Sequence, residues 1–128
     1  MGGQYVLTIE GDWRIRKVIR ANLEAEGLTV REAVGGPHGL QMIGERRPDL
    51  ILLDLDLPDA DIWQLIAALQ AVFANQPVPV IAMCAEPPGR QLLRHGGFVN
   101  YLQKPFAAPA LLQQVQAALD ARTTGSAR

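Results

Sequence analysis

Apolar residues along the chain follow two patterns, short continuous runs and longer stripes at helical spacing. The most concentrated run, residues 50–53, consists of four large aliphatic residues between Asp49 and Asp54. Apolar runs of this length between turn residues are typical of strands buried on both faces of a parallel sheet. The run predicts a central strand that ends at Asp54, at the edge of the sheet where α/β proteins place their ligands.

Strands and helices are predicted to alternate along the whole chain. Strands are expected at residues 4–9, 28–33, 50–54, 80–84 and 98–102. Asp12 is a natural N-cap for the first helix, and Gly27 is suited to end it in a left-handed conformation. Apolar stripes predict further helices around residues 40–43, 62–73, 92–93 and 111–119, of which the one near residue 92 is short. This alternation predicts an α/β fold with helices on both faces of a parallel sheet.

Composition narrows the class of protein. A length of 128 residues predicts one domain, with a folded part at residues 1–122 and a flexible tail or linker start at 123–128. A hydrophobic content of 48% with 5% aromatics favours an aliphatic α/β interior, and one cysteine excludes an internal disulfide. The net charge of −1 gives no general attraction to nucleic acid or anionic membranes. With no long apolar segment, the expected location is the cytoplasm.

Residues with useful chemistry follow several of the predicted strands. The shared edge of a parallel sheet would bring together Glu10, Asp12, Asp54, Cys84 and Lys104. Clustered carboxylates suit Mg²⁺, a carboxylate can form an aspartyl phosphate, and a nearby lysine can neutralise the phosphoryl group. Taken singly, each residue is more often a helix cap or a surface ion pair. Their joint placement is what favours a site.

From Tyr5 to about Leu119 the chain resembles the receiver domain of bacterial two-component response regulators. Residues 54–61 match the segment that carries the phospho-accepting aspartate, and residues 104–106 match the lysine–proline signature of the family. The resemblance implies a flavodoxin-like, doubly wound sheet of five strands in the order 2-1-3-4-5. It also implies a signalling role without enzyme activity, with a histidine kinase or phosphotransfer protein as partner and a homodimer as a further option.

The resemblance also assigns roles to individual residues. Asp54 would accept the phosphoryl group, Lys104 would contact its oxygens, and Tyr101 would be the aromatic that moves on activation. Cys84 stands where the family has Thr or Ser. The implied Mg²⁺ site consists of Glu10, Asp12, Asp54 and Asp56, the last through its backbone carbonyl.

Several departures from the family pattern bear on function. Gly11 replaces an acid that is normally a direct metal ligand, which predicts weak Mg²⁺ binding. Cys84 is a weaker hydrogen-bond donor than a hydroxyl. Ile62 replaces the usual glycine after Asp61. Two prolines at residues 87–88 shorten the fourth helix, so we expect this segment to be mobile and a dimer formed through it to be weak or rearranged.

Three functions are compatible with these residues. The first is a weakened phospho-switch, and the second is a phosphorylation-independent receiver that acts as a protein–protein interaction module. The third, a flavodoxin-like cofactor binder, is disfavoured because residues 10–12 would repel a phosphate and no Gly-rich cradle follows them. Four cations in the first helix are expected to form a solvated face, and no direct nucleic acid binding is predicted: Arg14, Arg16, Lys17 and Arg20.

Overall fold

The computed structural model describes residues 3–126, and the side chains of residues 3–121. Five parallel strands form one sheet in the order β2-β1-β3-β4-β5, which confirms the predicted topology. The strands are β1 Tyr5–Ile9, β2 Thr29–Ala33, β3 Leu50–Asp54, β4 Val80–Cys84 and β5 Asn100–Gln103. The helices are α1 Trp13–Ala25, α2 Gly36–Glu45, α3 Ile62–Val72, α4 Arg90–His95 and α5 Ala108–Ser126.

The core lies in two apolar layers, one on each face of the sheet. On one face, Ile51 and Leu53 pack with residues of α2 and α3. On the other face, Leu50 and Leu52 pack with residues of α1 and α5. All five residues of β3 are buried, as its continuous apolar run predicts. Because both faces of this strand are covered, the position of its last residue, Asp54, is fixed by the core.

The ends of α1 have the predicted chemistry. The Asp12 carboxylate accepts a hydrogen bond from the Arg14 N–H, as an N-cap does. At the other end, Gly27 has a φ of 83°, a conformation that a residue with a Cβ rarely adopts. These two signals set the register of α1 and therefore the place where the β1–α1 loop crosses the edge of the sheet.

Two element boundaries, those of β5 and α5, differ from the prediction, and the length of α4 confirms it. β5 begins at Asn100 instead of residue 98, because the Phe98 ring lies under Gly96 and packs against the α2–α3 layer. α4 has only six residues, all within the described part of the chain and none of them buried, which confirms the predicted short helix. α5 continues through Ser126, past the predicted boundary at residue 122, because adding a residue to an existing helix costs little. Residues 127–128 of the predicted tail lie outside the described residues.

No helix within residues 3–126 is long and apolar enough to cross a membrane.

Candidate functional site

The strand ends bring three charged residues together at the carboxyl edge of the sheet. Glu10 follows β1, Asp54 ends β3, and Lys104 follows β5. The Lys104 backbone N–H donates to the carbonyl of Cys84 at 2.7 Å, which ties this residue to the end of β4. The predicted meeting of Glu10, Asp54 and Lys104 therefore follows from the parallel topology.

The Lys104 ammonium bridges two buried carboxylates. Its Nζ lies 2.7 Å from Glu10 Oε1 and 3.1 Å from Asp54 Oδ1. The side chains of Glu10, Asp54 and Lys104 are only 2%, 5% and 15% exposed. Buried charges are costly unless they are paired, and this group holds two carboxylates for one cation. The site therefore keeps a negative charge that suits a further cation.

Burial and pairing change the proton affinities of this group. Burial raises the pKa of the Glu10 carboxyl, and the nearby Lys104 ammonium opposes that shift without cancelling it. For Lys104, burial alone would lower the pKa, but its hydrogen bonds to Glu10 and Asp54 outweigh this effect and raise it. Lys104 is therefore a fixed positive charge at neutral pH.

The two oxygens of Asp54 differ in their surroundings. Oδ1 accepts hydrogen bonds from the Lys104 ammonium and, at 2.8 Å, from the Asp56 backbone N–H. Oδ2 accepts no hydrogen bond from residues 3–121, where side chains are described. Two donors therefore orient the carboxylate through Oδ1, and Oδ2 is the oxygen that could react.

Asp12 lies apart from this group. Its carboxylate caps α1 and forms an ion pair with the Arg14 guanidinium at 3.0 Å. That hydrogen-bonded pair lowers the pKa of Asp12. Its backbone N–H, in contrast, donates to Glu10 Oε2 at 3.0 Å. Asp12 thus supports Glu10 through the main chain, while its side chain serves the helix.

Asp56 lies in the β3–α3 loop, and Cys84 is the last residue of the neighbouring strand β4. The exposed Asp56 carboxylate accepts a hydrogen bond of 3.1 Å from the Ala85 N–H and links the β3–α3 and β4–α4 loops. Cys84 is 3% exposed. Burial, with a further contribution from the Asp56 charge, raises the pKa of its thiol. The residue is therefore a neutral S–H at the place where a hydroxyl would be a better donor.

Tyr101 lies on β5 and its side chain is half-buried. Its backbone carbonyl accepts a hydrogen bond of 3.1 Å from Gln114 Nε2 of α5. Its role as a moving aromatic remains a prediction.

Gly11 leaves open space in the β1–α1 loop. A Cβ built at this exposed residue would meet only the Val34 carbonyl oxygen, at 3.9 Å, among the described residues. Its φ is not in the left-handed region. Neither the φ of Gly11 nor its contacts with the described residues therefore require glycine here, and the backbone has room for a Cβ.

The cations of α1 do not form the uniform solvated face expected from the sequence. Arg14 and Lys17 are exposed, but Arg16 and Arg20 both pair with Glu32 of β2. The sequence could not reveal this pairing, because Glu32 lies 16 and 12 residues away from these arginines on another element. The spacing within α1 contains no signal for it.

The donor set fits Mg²⁺ in kind but is sparse. Hard carboxylate oxygens from Glu10 and Asp54 suit this ion. Among the described residues, however, no three His, Cys, Asp or Glu side chains converge as a metal-binding group. Gly11 contributes no carboxylate, and that of Asp12 is turned to Arg14. The structure supplies two buried carboxylates where four acids were predicted to take part.

Comparison with known proteins gives a consistent result. A family model described as the response regulator receiver domain matches residues 6–116. The KDP operon transcriptional regulatory protein KdpE of Escherichia coli K12 is 36% identical over 114 residues, covering 89% of this chain and 50% of KdpE. The transcriptional regulatory protein PrrA of Mycobacterium tuberculosis is 32% identical over 117 residues, covering 91% of this chain and 50% of PrrA. The chain thus spans about half the length of these relatives.

Solved structures agree in fold. A two-component response regulator from Clostridium difficile has a TM-score of 0.82 and 26% identity, covering 91% of this chain and 96% of that one. A CheY-like receiver domain protein from Methanospirillum hungatei has a TM-score of 0.85 and 23% identity, covering 97% and 99%. The second likeness concerns the fold alone. The chain therefore belongs to the response regulator receiver domains, signalling modules of two-component systems that kinases phosphorylate and that generally use Mg²⁺.

Proposed function

We propose that this chain is a phospho-accepting receiver in which Asp54 takes a phosphoryl group from a histidine kinase or phosphotransfer protein, with weakened metal binding. The observation that carries the proposal is the buried bridge of Lys104 between Glu10 Oε1 and Asp54 Oδ1. Buried and paired charges at a strand end are oriented groups, in contrast to surface acids. The other acids of the β3–α3 loop, Asp56, Asp59 and Asp61, are exposed.

The proposed transfer assigns the nucleophile to Asp54 Oδ2. This oxygen attacks phosphorus, the bond from phosphorus to the donor's imidazole nitrogen breaks, and its electron pair stays on that nitrogen, which takes up a proton. Lys104 lies beside the acceptor carboxylate and lowers the energy of the negative charge that arrives with the phosphoryl group. The Asp56 N–H fixes the other oxygen during the step.

Mg²⁺ would be held by Glu10, Asp54 and the Asp56 carbonyl, where it would neutralise phosphoryl charge. In the family pattern, an additional acid occupies the position of Gly11. With one carboxylate fewer, we propose that the affinity for Mg²⁺ is the main defect of this receiver. The Gly11 backbone leaves room for a Cβ, so we attribute the proposed weakness to the missing carboxylate and not to the shape of the loop.

An apolar groove lies next to the site. Ile15 and Val18 of α1 and Phe106 of the β5–α5 loop line an apolar groove of about 420 Å³, and Lys104 lies at its rim. Val18 is 49% exposed, and the neighbouring Trp13 is 62% exposed. Exposed apolar residues around a charged site are typical of a surface that meets a protein partner. We propose that the donor protein binds here.

The proposal is tested by intact-mass measurement after incubation with acetyl phosphate and Mg²⁺. The native chain should gain one phosphoryl group, and Asp54→Asn should gain none. Asp59→Asn is the matched control, because it changes an exposed acid of the same loop and keeps an acceptor for the Gly36 N–H. Full labelling of Asp54→Asn would show that another residue is the acceptor.

A phosphorylation-independent interaction module is the second candidate. The observation that favours it is the sparse acid set, with Gly11 at the position of a metal ligand and Asp12 occupied by Arg14. On this alternative, the native chain stays unlabelled at any Mg²⁺ concentration, and a partner binds equally well to the native chain and to Asp54→Asn. Labelling at raised Mg²⁺ would decide for the weakened switch.

A further inference from the structure

Arg16 makes an unusual connection between α1 and the loop that carries Glu10. It lies in the first turn of the helix, yet its side chain is only 13% exposed. Its Nη1 donates to the Glu10 backbone carbonyl at 2.7 Å, and its Nε donates to Glu32 Oε1 at 3.1 Å. The guanidinium therefore holds a main-chain atom of the candidate site and is itself held by a strand.

Glu32 orients this guanidinium. Its carboxylate lies on β2, with Oε1 on Arg16 and Oε2 on Arg20. Glu32 is 27% exposed and raises the pKa of Arg20 through their hydrogen bond. Since a guanidinium is planar, a bond at Nε fixes the direction in which its other nitrogens point. With Glu32 in place, Arg16 Nη1 points at the Glu10 carbonyl.

Among the described residues, the Glu10 main chain is otherwise hydrogen-bonded only through its N–H. Its N–H donates to the Ala33 carbonyl at 3.0 Å, as a continuation of the sheet. Its carbonyl begins the peptide that leads into Gly11, an exposed residue with no side chain to hold the loop. Glycine has more conformational freedom than any other residue, so this peptide would be poorly ordered without a further contact. The Arg16 hydrogen bond supplies that contact.

We propose that Arg16, oriented by Glu32, is a positioning residue that fixes the Glu10–Gly11 peptide and so directs the Glu10 carboxylate toward Lys104 and a bound Mg²⁺. The metal part of this inference rests on the proposed function. Two effects oppose each other, because the Arg16 charge also repels a cation. Glu32 neutralises that charge nearby, so we expect the positioning effect to be the larger one.

The first experiment needs no metal. The Asp12 N–H donates to Glu10 Oε2, and its solvent exchange, measured by NMR in EDTA, reports whether the Glu10 carboxylate stays in place. Arg16→Gln should speed this exchange roughly 2- to 12-fold, the equivalent of one lost hydrogen bond. Arg16→Lys should do nearly the same, because lysine keeps the charge and loses the planar fork.

Arg20→Gln is the matched control. It also removes an arginine from Glu32, but Arg20 donates to the carboxylates of Glu32 and Glu24 and, within the described part of the chain, makes no hydrogen bond to Glu10. It should cost similar stability and leave the exchange of the Asp12 N–H unchanged. Equal exchange in Arg16→Gln and the native chain, or equal acceleration by Arg20→Gln, would overturn the positioning role.

The second experiment is a Mg²⁺ titration of the same variants, followed by Trp13 fluorescence in a Trp63→Phe background. Arg16→Gln and Arg16→Lys should lower the affinity on the order of 10-fold, as loss of an outer contact to a metal ligand does. An affinity that rises in Arg16→Gln and returns to the native value in Arg16→Lys would overturn the proposal in favour of simple charge repulsion. If the native chain binds no Mg²⁺, the proposed metal site fails, and the exchange experiment alone decides the role of Arg16.

Discussion

The candidate site has two sides, a lysine side and a loop side, which differ in burial and in the pairing of their charged groups. On the lysine side, Glu10 and Asp54 are buried, and the partly buried Lys104 ammonium lies within 3.1 Å of both carboxylates. On the loop side, Gly11 has no carboxylate, Asp12 serves as a helix cap and the Asp56 carboxylate is exposed. The core of the sheet holds the groups of the lysine side in place, whereas loops carry the groups of the loop side. The orientation of the acceptor carboxylate and the number of metal ligands can therefore vary independently in this fold.

Burial explains why the lysine side is the better ordered of the two. Glu10 follows β1 and Asp54 ends β3, and the residues of both strands are buried, so the chain has little freedom where these side chains begin. The groups of the loop side lie where the chain leaves the sheet, and their hydrogen bonds are exposed to water. Exposed ion pairs such as the one between Asp12 and Arg14 contribute little to stability. Substitutions on the lysine side should therefore have the larger effects.

The largest effect is expected for Lys104→Gln. The variant leaves two buried carboxylates without their cation, so the rate of phosphorylation by acetyl phosphate should fall on the order of 100-fold or more. The free energy of unfolding should also fall by about 1 to 3 kcal/mol, because buried acceptors lose a charged partner. Rate is measured by intact mass and stability by urea unfolding. Lys17→Gln, which removes an exposed cation of α1, should change neither, and a native rate in Lys104→Gln would contradict the lysine-side assignment.

Gly11→Asp should give the loop side the metal-binding carboxylate that it lacks. A Cβ at this position would meet only the Val34 carbonyl oxygen, at 3.9 Å, among the described residues, so the backbone can accept a side chain here. We expect Mg²⁺ affinity to rise on the order of 10- to 100-fold, and metal-free stability to fall because of repulsion by Glu10. The readout is the fluorescence titration of the Trp63→Phe background. Gly11→Asn is the control of matched size, and equal affinity of the native chain and Gly11→Asp would show that Glu10 already supplies the missing ligand.

Much of the lysine side could be predicted from the sequence, and the reason is the sheet. A continuous apolar run at residues 50–53 indicates a strand buried on both faces, and the alternation of elements makes the sheet parallel. Once the strands are parallel, the residues that follow them must share an edge. The meeting of Glu10, Asp54 and Lys104 therefore needs no knowledge of side-chain geometry.

The loop side could not be predicted in the same way. Asp12 is both a natural helix cap and a natural metal ligand, and only the position of Arg14 in space decides which role its carboxylate has. The partners of Arg16 are likewise invisible in the chain, since they depend on how α1 crosses β2. The β5 boundary was misplaced because Phe98 packs into the core like a strand residue while the ladder starts at Asn100. Local patterns thus predict elements, and long-range contacts determine roles.

A smaller effect is expected for Cys84→Ser. A hydroxyl is a better donor than a thiol, so the phosphorylated form should gain roughly 2- to 10-fold in its equilibrium with acetyl phosphate, the value of one neutral hydrogen bond. The unphosphorylated protein should be slightly less stable, because a buried hydroxyl without a partner is costly. Cys84→Ala is the control, since it has similar size and no donor. Equal phosphorylation of the Ser and Ala variants would show that residue 84 makes no contact with the phosphoryl group.

The smallest effect concerns pH and separates the two forces on Glu10. Burial raises the pKa of this carboxyl above its ordinary value of 4.5, so the folded protein holds the proton more tightly than the unfolded chain does. Glu10 therefore favours folding most below pH 4.5, and its contribution declines as the pH rises from 4.5 through the folded pKa. Glu10→Gln has no such group.

The measurement is urea unfolding of both proteins in EDTA from pH 4 toward neutrality. The constant offset between the two curves includes the lost ion pair with Lys104, so the slope of their difference is the informative quantity. The free energy of unfolding of Glu10→Gln minus that of the native chain should increase across the window and then become flat. A difference that decreases with pH would mean that pairing with Lys104 outweighs burial, and that the lysine side is neutralised more completely than its geometry implies.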